Sequence, residues 1–286
     1  MLSRDSMLLN ENIARTIQRV GYIVADFLRE HEIAALREAY ERLESGVQMG
    51  FFASMFSADA QYRNAVDKVI KDIFARPLKN LVQQHRCLLG SFLEKKPVPE
   101  SGEVPLHQDW TFVNETEFQS LNFWCPLEDV DERNGCLWVL PGSHRFPTHP
   151  RAPFGPAPWI TAFGQELSAV MIPVPMKKGE VLISEHRLWH ASNLNYAQTS
   201  RLAAACTVVP ERAEVIHYCH DLKSGSGFYN RYRVDEAFFC EYQVGRPPPG
   251  RYAFDKIEVK LPCPTRDQLQ EFMILTRVAN TNVKRD

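Results

Sequence analysis

The run "GEVLISEHRLWHASNLNYAQTSRLAAACTVV", residues 179–209, carries the pattern that decides the architecture. Val181 to Ile183 open a β-rich run that reaches His186 and His190, and a polar stretch from Asn193 to Ser200 makes a turn. Arg201 then opens a second apolar run. Two short strands joined by a turn are expected here, the second facing the first as a ladder partner.

The same texture extends back to Cys87. Short β-rich runs, "CLLGSFL", "PLHQDWTF", "SLNFWCPL", "CLWVLPGSH" and "AVMIPVPM", are punctuated by Pro, Gly and Asn. Many short strands with turns between them predict a sandwich or barrel, not a parallel sheet with crossover helices. Before residue 87 the period changes. Ile13, Ile17 and Val20 lie at helical spacing up to Gly21, followed by an extended Tyr22 to Phe27. Ile33, Leu36, Ala39 and Leu43 share a second helical face, with Gly46 as its C-cap, and Val66, Val69, Ile70 and Ile73 a third, broken by Pro77. Residues 221–264, with "SGSG" and "GRPPPGR", read as irregular connection or an edge cover. A Thr265/Gln268 capping box then starts a last helix. The expected fold class is mainly β with flanking helices: a jelly-roll (double-stranded β-helix, cupin-like) core with N-terminal helices packed on the sheet. The whole chain, 1–286, is expected to be one domain, with a helical part at 1–86, the jelly roll at 87–220 and a cover at 221–286.

Composition narrows the function classes. Lys+Arg 33 against Asp+Glu 35 gives a net charge of -2, with both signs dispersed along the chain. Neither nucleic acid nor an anionic membrane is an expected partner. The longest apolar run, residues 202–209, falls well short of the ~18 residues a membrane span needs. The first twenty residues break their apolar run with Asn and Glu and lack a secretory cleavage pattern. Seven cysteines without CxxC pairs suit reduced, buried thiols and a cytoplasmic location. Oligomeric state is left open by the sequence.

Chemistry enters at "LHQDWTF", residues 106–112. Residues i and i+2 of an extended segment point to the same side, so His107 and Asp109 converge. His186 and His190 supply further imidazole, and on a strand they would share a face. Two imidazoles and one carboxylate on one edge leave coordination positions open, the arrangement expected of non-haem Fe(II), whereas structural zinc fills all four. A buried Arg201 beside such a site needs an anionic partner, and its planar fork suits a carboxylate.

The segments "PLHQD", "NFWCPLEDVDERNGCLWVLPGSHR", "GEVLISEHRLWHASNLN" and "SRLAAA", with "GYIVADFL" and "HEIAALREAYE" upstream, together resemble the phytanoyl-CoA dioxygenase family of Fe(II)- and 2-oxoglutarate-dependent oxygenases. The resemblance covers most of residues 10–210. It implies that His107, Asp109 and His190 bind Fe(II), with His190 preferred over His186, and that Arg201 binds 2-oxoglutarate. It further implies that Trp124, Ser192 and Phe92 line the co-substrate pocket, and that O2 is the oxidant. Related halogenases replace the carboxylate ligand by a small residue. Asp109 is present here, so hydroxylation of an unactivated C–H bond is expected, with release of succinate and CO2. Dispersed cations favour a small metabolite or natural-product intermediate over an acyl-CoA. A zinc-dependent jelly-roll hydrolase or isomerase is the alternative outside the family. Residues 47–62, read as helical, and 221–250 are the expected lid. His144 and the "HYCHD" group, His217, His220 and Asp221, are read as structural, as are Cys125, Cys136 and Cys206. Trp110 and Trp189 are expected in the core.

Overall fold

The computed structural model describes residues 7–43, 50–97, 102–225 and 227–283. Helix α1 (Glu11–Val20) is capped by Asn10, whose side-chain oxygen accepts from the Asn12 and Ile13 N–H groups at 2.8 and 3.3 Å. It ends at Gly21, which has φ +90°, a left-handed conformation that favours glycine. A Cβ there would lie 2.6 Å from His144 Nδ1 and 2.7 Å from Leu188, so glycine also lets α1 meet the segment that precedes His190. The chain continues into β1 (Tyr22–Asp26) and α2 (Glu30–Leu43). The expected C-cap at Gly46 lies outside the described residues. Next come β2 (Phe51–Ala53), a 3-10 turn at Ser54–Phe56 and α3 (Ala60–Leu78). The expected helix over residues 47–62 is therefore a strand and a tight turn up to Phe56. Pro77 does not interrupt α3 but stands in its last turn, and the helix stops one residue later.

Eleven further strands and three helices follow. They are β3 (His85–Lys95), β4 (Val104–His107), β5 (Leu121–Pro126), β6 (Leu137–Val139), α4 (Pro158–Ser168), β7 (Ile172–Val174), β8 (Glu180–Glu185), β9 (His190–Ser192), β10 (Arg201–Pro210) and β11 (Ile216–His220). The chain closes with β12 (Phe228–Arg233), α5 (Phe238–Glu241), β13 (Phe254–Glu258) and α6 (Arg266–Val283). The larger sheet has the order β1-β8-β5-β10-β3-β2 and the smaller β4-β9-β6-β7, with antiparallel pairing in both. This is the expected jelly roll, open and not a closed barrel.

All ten residues of β10 are buried, because the strand is central and covered on both faces. Ala204, Cys206 and Val208 face the helices, where Ile17, Leu36, Val66, Ile70 and Phe74 complete one core. Ala203 and Ala205 face the second sheet and pack in another core with Trp124, Val139 and Leu182. Helix α3 lies so close to β3 that a Cβ on Gly90 would meet Ile70 Cβ at 3.0 Å, and the Gly90 N–H donates to Asp67 at 2.7 Å.

Three expectations need correction. Strand β9 is not a ladder partner of β10: it pairs with β4 and β6, while β10 pairs with β3 and β5. The turn between them crosses from one sheet to the other. Helix α4 went unforeseen: its Trp-Ile-Thr run reads as β, it has no side-chain cap, and Phe163 leaves helical geometry (φ -143°, ψ 25°). Residues 221–264 are not irregular, since β12 and β13 join β11 in a third sheet and α5 packs beneath it. The Thr265/Gln268 capping box does start α6, with both reciprocal bonds formed at 2.9 and 3.3 Å.

Candidate active site

His107 ends β4, His190 begins β9, and the two are register partners in the smaller sheet. Antiparallel pairing thus brings together residues far apart in sequence, with ring centroids 4.2 Å apart. Asp109 follows two residues after β4 ends. Its Oδ1 is 3.9 Å from His107 Nε2 and 3.8 Å from His190 Nε2, and the three donor atoms lie within 4.8 Å of one another. His107 Nδ1 lies 2.8 Å from the Pro105 carbonyl and His190 Nδ1 3.0 Å from that of Leu188. Each ring donates from Nδ1 to the backbone, which leaves the Nε2 lone pair facing the carboxylate.

The electrostatics suit a cation. Burial, and then repulsion from His190, push the His107 imidazole down to about 4, so it is neutral as a metal ligand must be. Burial tends to raise the Asp109 carboxyl, but His190, His186, His107 and Arg151 together hold it below the usual carboxylate range. Asp109 Oδ2 is buried with no hydrogen-bond partner. An orphaned carboxylate oxygen beside the Nε2 atoms of two imidazoles fits a divalent transition metal.

Arg201, the first residue of β10, is 2% exposed, with its guanidinium carbon 5.3 Å from the Trp124 ring. Its Nε has no partner, its contact to the Leu93 carbonyl is long at 3.4 Å, and no ion pair to it is formed among the described residues. Burial lowers it to about 10, still charged at neutral pH. A buried cation without a paired anion costs several kcal/mol, so this one is built for an anionic ligand.

The cluster and Arg201 line one cavity of about 580 Å³ between the two sheets. Trp124 and Ser192 also line it. The Ser192 hydroxyl donates to the Gly135 carbonyl at 3.1 Å, and its own carbonyl accepts from Lys95 Nζ at 2.8 Å. Phe92 does not line the cavity. Its neighbours Ser91 and Leu93 do, while Phe92 points the other way, against Tyr40 at 5.4 Å in the helical core. Period-two alternation along β3 puts it on the wrong face.

His186 lies in the turn after β8, not on a strand shared with His190, so strand parity does not apply. Its Nδ1 is 2.9 Å from the Ser120 hydroxyl and its ring packs at a tilt against Phe112, outside the three-residue cluster. His144 bonds the Gln18 carbonyl at 3.0 Å and ties its turn to α1. Trp110 and Trp189, expected in the core, both line the cavity.

Two residues that sequence reasoning missed hold the ligand segment. Arg151 is buried, pairs with Glu115 at 2.5 Å, and donates from Nε to the Asp109 carbonyl at 2.6 Å. Gln108 donates to the Arg187 carbonyl at 2.5 Å, fastening the segment to the turn before β9. Arg151 stands 42 residues after Asp109 in a Pro-rich stretch with no spacing signal.

Fold and cluster define a class: jelly-roll proteins with two histidines and one carboxylate on one edge of the small sheet. The phytanoyl-CoA dioxygenase (PhyH) family model matches residues 17–203, and the chain belongs to that family. It is 34% identical over 152 residues to mouse phytanoyl-CoA dioxygenase domain-containing protein 1, covering 49% of this chain and 52% of that protein. The chain therefore spans about half the length of this curated relative. Among solved structures it resembles the non-heme alpha ketoglutarate dependent carbocyclase SnoK from nogalamycin biosynthesis, at 22% identity and TM-score 0.54, covering 72% of this chain and 86% of that one. It also resembles the epimerase SnoN in complex with Fe3+, alpha ketoglutarate and nogalamycin RO, at 24% identity and TM-score 0.51, covering 72% and 85%. These two likenesses speak to the fold.

Proposed function

We propose that this protein is a non-haem Fe(II)- and 2-oxoglutarate-dependent oxygenase that hydroxylates an unactivated C–H bond of a small-molecule metabolite or natural-product intermediate. One observation carries the reading: a buried guanidinium without a paired anion shares a cavity with an orphaned carboxylate oxygen and two Nε2 lone pairs. A hydrolytic zinc site would use the metal cluster but give Arg201 no counter-charge. Family membership and the fold shared with the epimerase SnoN, crystallised with Fe3+ and alpha ketoglutarate, support the same reading.

In this proposal His107, Asp109 and His190 hold Fe(II), Arg201 grips the distal carboxylate of 2-oxoglutarate in bidentate fashion, and Trp124 covers the guanidinium. Bound iron supplies the activation of O2, coupled to conversion of 2-oxoglutarate to succinate and CO2 and insertion of the second oxygen atom into C–H. The protein's own groups do the positioning. The backbone carbonyls of Pro105 and Leu188 fix the two imidazole tautomers, Arg151 and Gln108 brace the segment that carries Asp109, and the apolar walls exclude water. The chain is proposed to act as one domain. No helix among the described residues is long and apolar enough to cross a membrane. The seven cysteines are free, which supports the proposed cytoplasmic setting.

Adding Fe(II) and 2-oxoglutarate under nitrogen should give a weak visible charge-transfer band. Air should then release succinate. A folded, iron-loaded protein without that band turns the reading to the zinc hydrolase or isomerase.

A further inference from the structure

The substrate end of the cavity is aromatic and holds almost no free charge. Apart from histidines, the charged residues lining it among the described residues are Asp109, Arg201, Arg151 and Glu103. Asp109 belongs to the metal cluster and Arg201 to the co-substrate. Arg151 is neutralised by Glu115, whose oxygens lie 2.5 and 2.8 Å from its terminal nitrogens. The remaining carboxylate, exposed Glu103, faces the charge of the buried Lys95. His149 is disfavoured as a cation, since burial pushes its imidazole below the ordinary range although Nε2 donates to the Pro156 carbonyl at 2.9 Å. A negative substrate entering this end would shed water and meet no cation, a loss of several kcal/mol.

The mouth repeats the message. Phe56 closes the 3-10 turn after β2 and is 48% exposed, and Phe154 stands on the loop before α4, 82% exposed. Both line the cavity from separate elements. Phe154 has φ +57°, the left-handed region that a bulky residue enters at a cost of about 1–3 kcal/mol. Strain of this kind gathers at ligand clamps, and here it holds an aromatic ring out in water beside an apolar opening.

We infer that the substrate is an uncharged, predominantly apolar molecule, held at the mouth between Phe56 and Phe154, and not a CoA thioester. This rests on the oxygenase reading for the placement of 2-oxoglutarate on Arg201. It runs against the substrate that the family's name suggests, because a CoA ester brings phosphates to a substrate end whose one cation among the described residues, Arg151, is already neutralised by Glu115.

The test is equilibrium dialysis of the full chain, with and without Fe(II) and 2-oxoglutarate under nitrogen. The probes are 2-naphthalenemethanol, 2-naphthoate and 2-naphthoyl-CoA. The alcohol should bind at least about tenfold tighter than either anion. Phe154→Ala and Phe56→Ala, both at solvent-facing positions, should each weaken the alcohol about three- to tenfold while leaving the 2-oxoglutarate titration of the visible band unchanged. Glu103→Lys should raise the affinity for 2-naphthoate. Equal or tighter binding of either anion, or no binding of the alcohol at all, overturns the inference. Loss of the charge-transfer band with the alcohol still bound would instead fault the oxygenase reading, so the two failures are separable.

Discussion

The two-sheet jelly roll and the C-terminal cover are both well packed, yet they spend polar groups differently. In the jelly roll, Asp109 and Arg201, with Oδ2 and Nε buried and unpartnered, line one cavity. The cover, formed by β11–β13 and α5, also buries polar atoms without partners, at His217, Tyr229 and Asn230, but none of these residues lines the cavity. Arg63 on α3 clamps α5 by donating to the Cys240 carbonyl at 3.0 and 2.7 Å and the Glu241 carbonyl at 3.0 Å. In the proposed reading, the unsatisfied pair at the cavity is reserved for ligands. The second region holds the wall that the first depends on, since the Phe112 carbonyl accepts from Ile216 at the start of β11 and the Phe112 ring packs at a tilt against Phe239.

Breaking the jelly-roll side should cost activity and not stability. Asp109→Ala should reduce succinate formation to background. Its melting temperature without metal should stay at or above that of the parent, because an orphaned buried oxygen is removed. A large loss of melting temperature would mean that Asp109 is structural. Arg201 sharpens the same point. Arg201→Lys should raise the 2-oxoglutarate concentration needed for half-maximal rate by about ten- to a hundredfold, as the two-pronged grip becomes a single contact. Arg201→Met should melt about 1–4 kcal/mol higher without 2-oxoglutarate, yet gain nothing when it is added. If Arg201→Met were destabilised, the guanidinium would have a protein partner after all.

The same contrast governs what the sequence disclosed. His107 and Asp109 are legible as an i, i+2 pair, although Asp109 lies just beyond the end of β4, and the resemblance of "HAS" to a family pattern picks His190 over His186. Arg201 is legible as a charge opening an apolar strand. Phe92 rests on the resemblance alone, and alternation along β3 turns its neighbours Ser91 and Leu93 to the cavity instead. Arg151 was invisible since its partners, Glu115 and the Asp109 carbonyl, are reached only by tertiary folding. The cover was misread for a compositional reason: Gly and Pro in "SGSG" and "GRPPPGR" mask two strands whose pairing is non-local. Its place under the cavity wall cannot be inferred from periodicity.

Breaking the cover should do the reverse. Arg63→Ala leaves buried carbonyls of Cys240 and Glu241 without their donor and should destabilise the protein by about 2–4 kcal/mol, read by urea denaturation. At a temperature where it stays folded, succinate formation per molecule should remain within about twofold of the parent. That bound assumes the clamp stabilises α5 without shaping the metal site. A rate loss larger than the stability loss would place Arg63 in the active-site machinery.

His217 gives the smallest and most specific contrast. It lies on β11 with 0% exposure, caged by Trp110, Phe238, Phe239 and Tyr242, and neither ring nitrogen has a hydrogen-bond partner. Burial pushes its imidazole down to about 3 from an ordinary 6.5. The unfolded chain therefore takes up this proton first as pH falls. The associated stability is complete above about 6.5 and drains away toward pH 3, with on the order of 2 kcal/mol gone by pH 5. His217→Leu, close in volume, should remove that share of the acid sensitivity. Its melting temperature should fall by about 4–8 °C less than the parent's between pH 7 and pH 5. The subtraction cancels the other titrating groups, which both proteins share. Parallel pH profiles would mean that water reaches the ring and that this aromatic cage is not sealed. In that event the wall behind Trp110 would admit solvent, and the inference of an apolar substrate beside it would weaken with it.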